Sequence, residues 1–160
     1  MVDRRQFLQA SALAAGIAAL PGVQARSQGG AKVVSTWDFG VPANQAAWKV
    51  LAGGGSALDA VEAGARWAES ELCNPTVGHC GNPDRDGVLS LDASIMDGDG
   101  RCGAVAALVD ILHPVSVARK VMENSPHVLL VGEGAQQFAV QQGFERKHLL
   151  TPQAEAAWRE

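Results

Sequence analysis

The stretch VLSLDASIMDGDGRCGAVAALV, residues 88–109, decides what kind of fold the chain can form. Apolar and polar side chains alternate from Val88 to Met96, which is typical of a strand with one buried face. Asp97-Gly98-Asp99-Gly100 suits a tight hairpin turn, because glycine and aspartate tolerate the backbone angles that such turns require. Cys102–Val109 is apolar again. The stretch therefore predicts an antiparallel β-hairpin.

The segments on both sides of the hairpin have helical spacing instead. Ala43–Ala52 carries apolar residues at helical intervals, and Gly53-Gly54-Gly55 marks a corner where that helix ends. Ser56 is placed to cap the next helix, with Asp59 three residues later in a near capping box. After the hairpin we expect a helix at Val115–Glu123, a strand at His127–Val131, a helix at Glu133–Gln142 and a last helix capped by Thr151.

One more strand is predicted before the first helix, over Lys32–Phe39, because valine, threonine and aromatic residues favour strands. The resulting order is strand, two helices, hairpin, helix, strand, helix, which predicts the α+β class. Four such strands leave at least one exposed sheet edge, and proteins normally cover their edges. We therefore expect this chain to form part of a larger sheet.

Composition and charge limit the partners. The 160 residues suffice for one domain with a hydrophobic core, and 47% of them are hydrophobic. The net charge is −4, and the 13 lysines and arginines form no basic stripe. Nucleic acid is therefore not an expected partner, since phosphate binding needs clustered cations.

Residues 1–25 have the features of an export signal. Arg4-Arg5 precedes an apolar run from Ala10 to Leu20, and Val23-Gln24-Ala25 supplies the small residues that a signal peptidase requires. The paired arginines suggest twin-arginine export, while a general secretory signal stays an alternative. The mature chain would begin near Arg26, with residues 26–31 as a flexible lead-in, and would be periplasmic or secreted. No membrane association is expected after signal removal.

The side chains with metal-binding or nucleophilic chemistry do not form a recognisable site. Cys73, His79 and Cys80 are close in sequence, but their spacing does not fit structural zinc. With three cysteines the chain has no complete disulfide framework, and whether Cys73 and Cys80 pair stays open. Asp84 and Asp86 are better explained by a hydrogen-bonded turn than by calcium. We expect no metal and no cofactor.

Several sequence blocks resemble the glycosylasparaginase family of N-terminal nucleophile hydrolases. Ser35-Thr36-Trp37-Asp38-Phe39 and the following Ala46–Leu51 are similar to the opening of that family. Further similar blocks follow in the family's order: Gly54–Glu62, Thr76–Asp84, Leu91–Gly98, Gly103–Val105, Pro114–Met122 and His127–Gly132. Together the blocks extend from Val33 to Thr151.

The resemblance implies an αββα sandwich, made as a precursor that cleaves itself. The new N-terminal threonine of the downstream β segment would be the nucleophile, with its own α-amino group as the base. The substrate would be the amide between an asparagine side chain and N-acetylglucosamine, or a small β-aspartyl compound. Residues 32–160 would be the α segment, partnered by the β segment of the same precursor in an oligomer of αβ units.

Three positions inherit a role from the resemblance. Trp37 and Phe39 match residues that line the family's substrate pocket, although burial in a strand would explain them without the resemblance. Thr76 matches a serine near the processing site. One departure is Cys80, which stands where the family usually has glycine; whether its side chain is tolerated in that loop or pairs with Cys73 stays open.

The chain contains no His-Asp-Thr, the family's cleavage and nucleophile motif. We therefore expect no catalytic residue within it, no activity of this chain alone, and poor solubility without a partner because apolar sheet surface stays exposed. Two alternatives stay open. The chain is an inactive remnant or a binding module that keeps the pocket wall, or it belongs to a related L-asparaginase or isoaspartyl peptidase.

Overall fold

A computed structural model describes residues 30–71 and 74–160 of the chain. The predicted export signal, most of the predicted lead-in and Cys73 lie outside the described residues, and so does any bridge between Cys73 and Cys80. The structure has one compact unit from Val33 to Glu160. Its described helices do not have the length and apolarity that crossing a bilayer requires.

Small residues allow the first two helices to pack closely. Helix α1 spans Gly40–Ala52 and helix α2 spans Ala57–Ser70. Gly64 of α2 is buried against α1, and a Cβ there would lie only 3.1 Å from the carbonyl oxygen of Ala43. The predicted capping box is confirmed, since the backbone N–H of Asp59 donates to Ser56 Oγ over 3.1 Å and Asp59 Oδ2 accepts from the Ser56 N–H.

The predicted hairpin forms the centre of the sheet. Strands β1 (Ser90–Met96) and β2 (Cys102–Val109) pair antiparallel, as expected from the turn sequence between them. Strand β3 is shorter than predicted, covering Leu129–Val131, and it pairs parallel with β2. The sheet order is β1-β2-β3, so β1 and β3 are its edges in the described chain.

Helices cover one face of this sheet. Helix α3 spans Pro114–Asn124 and helix α4 spans Gly132–Gln141, close to their predicted bounds. They bury most inward side chains of β1 and β2 in the main core, while Leu91 of β1 belongs to a second, smaller cluster. The largest members of the main core are almost inaccessible to solvent. These include Ile95, Val105, Leu108, Val117 and Val121. Burial of this apolar surface is the main source of stability for the layer.

The opposite face of the sheet is exposed. Side chains on a strand alternate between the two faces, and the outward positions include apolar residues that contact no core. We call this surface the open face and define it by Met96, Ala104, Ala106, Leu129 and Val131. The exposed fractions of Met96, Leu129 and Val131 are 63%, 51% and 54%.

The predicted strand over Lys32–Phe39 is wrong. Residues 31–35 have no regular structure, and residues 36–39 form bends and a turn that leads into α1. The described strands pair only among themselves, and Val34 is 89% exposed. Strand preference depends on a half-buried, hydrogen-bonded surface, which this segment does not have here.

The last predicted helix is confirmed. Helix α5 spans Pro152–Arg159, and Thr151 caps it by accepting a hydrogen bond from the Ala154 N–H over 3.2 Å. The described chain is therefore α+β, as predicted from the order of its elements. The second layer of the sandwich that the resemblance implies stays a prediction.

Candidate functional site

A tight turn before α1 presents the first two predicted site residues. The backbone N–H of Gly40 donates to the carbonyl oxygen of Trp37 over 2.7 Å. Gly40 packs directly against Ser35, since a Cβ at position 40 would overlap Ser35 Oγ. This turn brings Trp37 and Phe39 to one side of the chain, against the small residues of α1 and α2.

The result is an apolar cleft of about 270 Å³ between residues 33–40 and the first two helices. Trp37 and Phe39 both line it. Phe39 is half-buried, whereas Trp37 is 68% exposed. The indole therefore forms the solvent-accessible edge of the cleft and is not part of the core. The helices contribute mainly small or branched apolar side chains: Ala43, Ala47, Val61, Ala65 and Ala68.

Thr76, the third predicted site residue, lies on a different surface. It is exposed and does not line the cleft. Its loop is anchored on the end of α2: Gly78 has a φ of +72°, and a Cβ there would overlap the carbonyl oxygen of Glu69. The structure thus connects the loop of Thr76 to the helix that lines the cleft, without bringing Thr76 into the cleft itself.

Glu69 is a buried carboxylate that the sequence analysis missed. It is 4% exposed, and its Oε1 accepts a hydrogen bond from the Val115 N–H over 3.0 Å at the N-terminus of α3. Its Oε2 lies 3.1 Å from His113 Nδ1. A helix N-terminus favours a nearby negative charge. The sequence did contain a signal for its burial, because Glu69 lies four residues after Ala65, on the apolar stripe of its helix.

A charged cluster joins α2 to α3 and was also missed. The Arg119 guanidinium lies 2.7 Å from carboxylate oxygens of Asp59, Glu62 and Glu123. Buried Ser116 donates to Glu62 Oε1 over 2.5 Å. The hydrogen bond to Glu123, with those to Asp59 and Glu62, raises the pKa of Arg119. The ion pairs of this cluster therefore hold α2 and α3 together.

The acidic turn is structural, as predicted. Asp84 Oδ1 accepts hydrogen bonds from the backbone N–H groups of Asp86 and Val88, both over 2.9 Å. Asp92 Oδ1 accepts from the Ala107 N–H across the hairpin over 2.7 Å. Within residues 30–71 and 74–160, no three His, Cys, Asp or Glu side chains gather as a metal site.

Cys80 is accommodated in its loop. It ends a short 3₁₀ turn, Gly78–Cys80, and its Sγ lies 3.7 Å from Thr151 Oγ1, the cap of α5. The neighbouring His79 is partly removed from solvent, and this desolvation, together with the charge of Lys147, lowers its pKa. The Cys80 side chain thus connects its loop to the cap of α5.

Comparisons with known proteins agree with the resemblance. A family model described as asparaginase matches residues 21–160. N(4)-(β-N-acetylglucosaminyl)-L-asparaginase of Elizabethkingia miricola is 54% identical over 128 residues, which cover 80% of this chain and 38% of that protein. The enzyme of the same name from Rattus norvegicus is 51% identical over 120 residues, covering 74% of this chain and 34% of the relative.

A more distant relative is the putative N(4)-(β-N-acetylglucosaminyl)-L-asparaginase of Drosophila persimilis, 42% identical over 133 residues, covering 80% of this chain and 34% of the relative. The chain spans about a third of the length of these curated relatives. The match to the family model extends over most of the chain. This chain therefore belongs to the asparaginase family, and its similarity to glycosylasparaginases is confirmed.

Proposed function

We propose that this chain is the α segment of a glycosylasparaginase-type amidohydrolase and works together with a β segment of the same precursor. The assembled enzyme hydrolyses the amide between an asparagine side chain and N-acetylglucosamine, releasing aspartate and a glycosylamine. Membership of the asparaginase family supports the amidohydrolase class. The names of the relatives at 51–54% identity support this substrate.

One observation carries the proposal of a β segment: the open face of the sheet. In the described chain, helices α3 and α4 pack on one face only, while Met96, Leu129 and Val131 are more than half exposed on the other. A contiguous apolar sheet surface is stable in water only when another layer covers it. A second sheet from the β segment is the layer that an αββα sandwich supplies.

The cleft supports a binding role for this chain. Trp37 offers a broad apolar face and an indole N–H donor to a ligand, and Phe39 closes the wall behind it. Among the described residues that line the cleft, none is ionisable. We therefore assign substrate contact, and not the chemical step, to Trp37 and Phe39.

The chemical step falls to the β segment in this proposal. Amide hydrolysis needs a nucleophile, a base and donors for the oxyanion. A threonine at the N-terminus of the β segment combines the first two, because its hydroxyl attacks and its own amine accepts the proton. On the strength of the resemblance, we assign Thr76 a position near the processing site. The chain alone would then bind weakly or not at all, and would not turn over substrate.

The proposal includes a compartment and an assembly state. Residues 1–25 direct export, by the twin-arginine or the general secretory route, and the mature chain begins near Arg26 in the periplasm or outside the cell. The αβ units associate into an oligomer there. No cofactor is required, because the amine of the nucleophile supplies the base.

The test is to co-express residues 26–160 with the downstream segment and to assay hydrolysis of N-acetylglucosaminyl-asparagine. Activity that disappears when the N-terminal threonine of the downstream segment becomes alanine supports the proposal. A correctly assembled but inactive pair would instead favour an inert remnant. Faster hydrolysis of L-asparagine or of a β-aspartyl dipeptide would favour the related asparaginase or isoaspartyl peptidase activities.

A matched pair of tryptophans tests the pocket assignment. Trp37 lines the cleft, whereas Trp48, which is 50% exposed on α1, does not. We expect Trp37→Ala to raise KM about tenfold or more, since removing a large aromatic contact costs on the order of 1–2 kcal/mol of binding. Trp48→Ala is expected to leave KM unchanged. Equal effects of the two substitutions would contradict a specific role of Trp37.

A further inference from the structure

The loop before the 3₁₀ turn contains a buried amide beside Thr76. Asn74 is 6% exposed, and its Oδ1 accepts two hydrogen bonds from the same residue. One comes from the Thr76 N–H over 3.0 Å and the other from Thr76 Oγ1 over 2.5 Å. The exposed Thr76 side chain is therefore held by the buried side chain of Asn74.

These two bonds determine which way the Thr76 hydroxyl points. A backbone N–H only donates, so the Asn74 atom that it reaches must be the carbonyl oxygen and not the amide nitrogen. A carbonyl oxygen only accepts, so the Thr76 hydroxyl must donate its proton to Asn74. The lone pairs of the Thr76 oxygen stay free, and toward any group in front of it this residue is a hydrogen-bond acceptor.

The amide nitrogen of Asn74 suggests that a hydrogen-bond acceptor joins this loop on assembly. Its Nδ2 is buried and has no hydrogen-bond partner among the described residues. A buried donor without an acceptor costs on the order of 1–3 kcal/mol. Serine or aspartate would accept the same two bonds at this kind of turn without burying an unused N–H. The amide is thus explained if an acceptor reaches Nδ2 once the molecule is assembled.

The loop that carries these groups is fixed in place. The Asn82 N–H donates to the Pro75 carbonyl oxygen over 3.0 Å, which closes the loop. Gly78 leaves no space for a side chain against the end of α2. Because the loop itself is packed against α2, the bonds to Asn74 fix the position of Thr76 relative to the rest of the fold.

We propose that Asn74 is a positioning residue that holds the Thr76 hydroxyl as an acceptor toward the reacting groups. This inference rests on the proposed function, in which Thr76 lies near the processing site. Thr76 then receives an N–H or O–H from the group that faces it. It does not donate to the oxyanion, because its single proton is committed to Asn74.

A double-mutant cycle in the co-expressed pair tests this proposal. If Asn74 acts through the hydroxyl, Asn74→Ala and Thr76→Val each lower kcat about tenfold, the effect of losing one oriented hydrogen bond. The double variant then also loses about tenfold and not a hundredfold. KM is expected to change less than about twofold in all three, because neither residue lines the cleft.

Conservative variants distinguish the orientation of the Thr76 hydroxyl from the folding of its loop. Asn74→Asp keeps the oxygen that accepts both bonds from Thr76 but loses the Nδ2 donor, so its kcat is expected to lie between that of Asn74→Ala and that of the unmutated pair. Thr76→Ser keeps the hydroxyl and is expected to restore kcat relative to Thr76→Val. Asn82→Ala is the matched control, since Asn82 is exposed in the same loop and uses its backbone there. It is expected to have the kcat of the unmutated pair.

Each outcome decides a different point. Additive losses in the double variant would overturn the positioning role and leave the proposed function standing. A loss of kcat in Asn82→Ala similar to that in Asn74→Ala would also overturn it, because loop stability would then explain both. An inactive unmutated pair would overturn the proposed function and this inference with it. Non-additive losses with unchanged KM are the expected result.

Discussion

The two faces of the same small sheet differ strongly in solvent exposure. On the covered face, Ile95 and Val105 are 3% and 2% exposed beneath α3 and α4. On the open face, the outward neighbour of Ile95, Met96, is 63% exposed, and Leu129 and Val131 of β3 are about half exposed. Both faces belong to one continuous hydrogen-bonded unit.

The difference shows that two kinds of apolar residue alternate along these strands. Residues of the covered face stabilise this chain by itself, since burial of apolar surface is what offsets the entropy of folding. Residues of the open face contribute little until another layer covers them. Substitutions on the two faces should therefore separate the stability of the layer from its assembly, and three experiments test that separation.

The largest effect is expected from opening a cavity on the covered face. Leu108 is fully buried in the main core, and Leu108→Ala is expected to lower the free energy of unfolding of residues 26–160 by about 4 kcal/mol. Leu129→Ala, the same change on the open face, is expected to cost less than about 1 kcal/mol. Urea unfolding followed by circular dichroism measures both. Similar losses would mean that the open face is already covered.

A smaller effect is expected from overfilling the covered face. Gly103 faces α3, and a Cβ there would overlap the Ala118 carbonyl oxygen. Gly103→Ala is expected to cost about 3 kcal/mol, because backbone must move to admit the methyl group. Ala104→Val, one residue later and on the open face, is expected to stay within about 0.5 kcal/mol of the unmutated chain. Thermal unfolding of both variants checks the contrast.

A still smaller change in stability, with a large change in assembly, is expected from a charge on the open face. Leu129 lies on edge strand β3, where lysine is well tolerated because it stays solvated. Leu129→Lys is expected to change the free energy of unfolding by less than about 1 kcal/mol and to increase solubility. It should abolish copurification with the downstream segment, since covering the face would bury an unpaired charge. Unimpaired copurification would contradict a covering layer on this face.

The elements around the hairpin could be predicted from sequence because their signals are local. The turn at Asp97–Gly100, the capping box at Ser56 and the cap at Thr151 are each defined by residues within a few positions. The fold class followed from the order of these elements. The family resemblance, carried by ordered blocks of residues, is confirmed by the comparisons.

What could not be predicted depends on contacts between distant residues. A strand at Lys32–Phe39 would need a neighbouring strand to pair with, and the strand-favouring residues of this segment carry no information about such a neighbour. Glu69 was missed because its partners, His113 and Val115, are more than 40 residues away. For the site, Trp37 and Phe39 line one cleft, but their role in binding and that of Thr76 in processing stay predictions.

The smallest effect is expected on α2, outside both faces of the sheet. Hydrogen bonds from Ser56 and then from Arg119 lower the pKa of Asp59 to about 2. Since the folded pKa lies below the unfolded value of 3.8, the carboxylate stabilises the fold above about pH 4, and this contribution is lost as the pH falls through about 2. The difference in free energy of unfolding between the unmutated chain and Asp59→Asn is therefore expected to be largest near about pH 5 and to shrink toward about pH 2. Urea titrations across this range measure that difference, in which the titration of carboxylates outside the Arg119 cluster cancels. A difference that stays constant with pH would show that the capping hydrogen bonds of Asp59 do not depend on its charge, and that α2 is held by the burial of its apolar stripe instead.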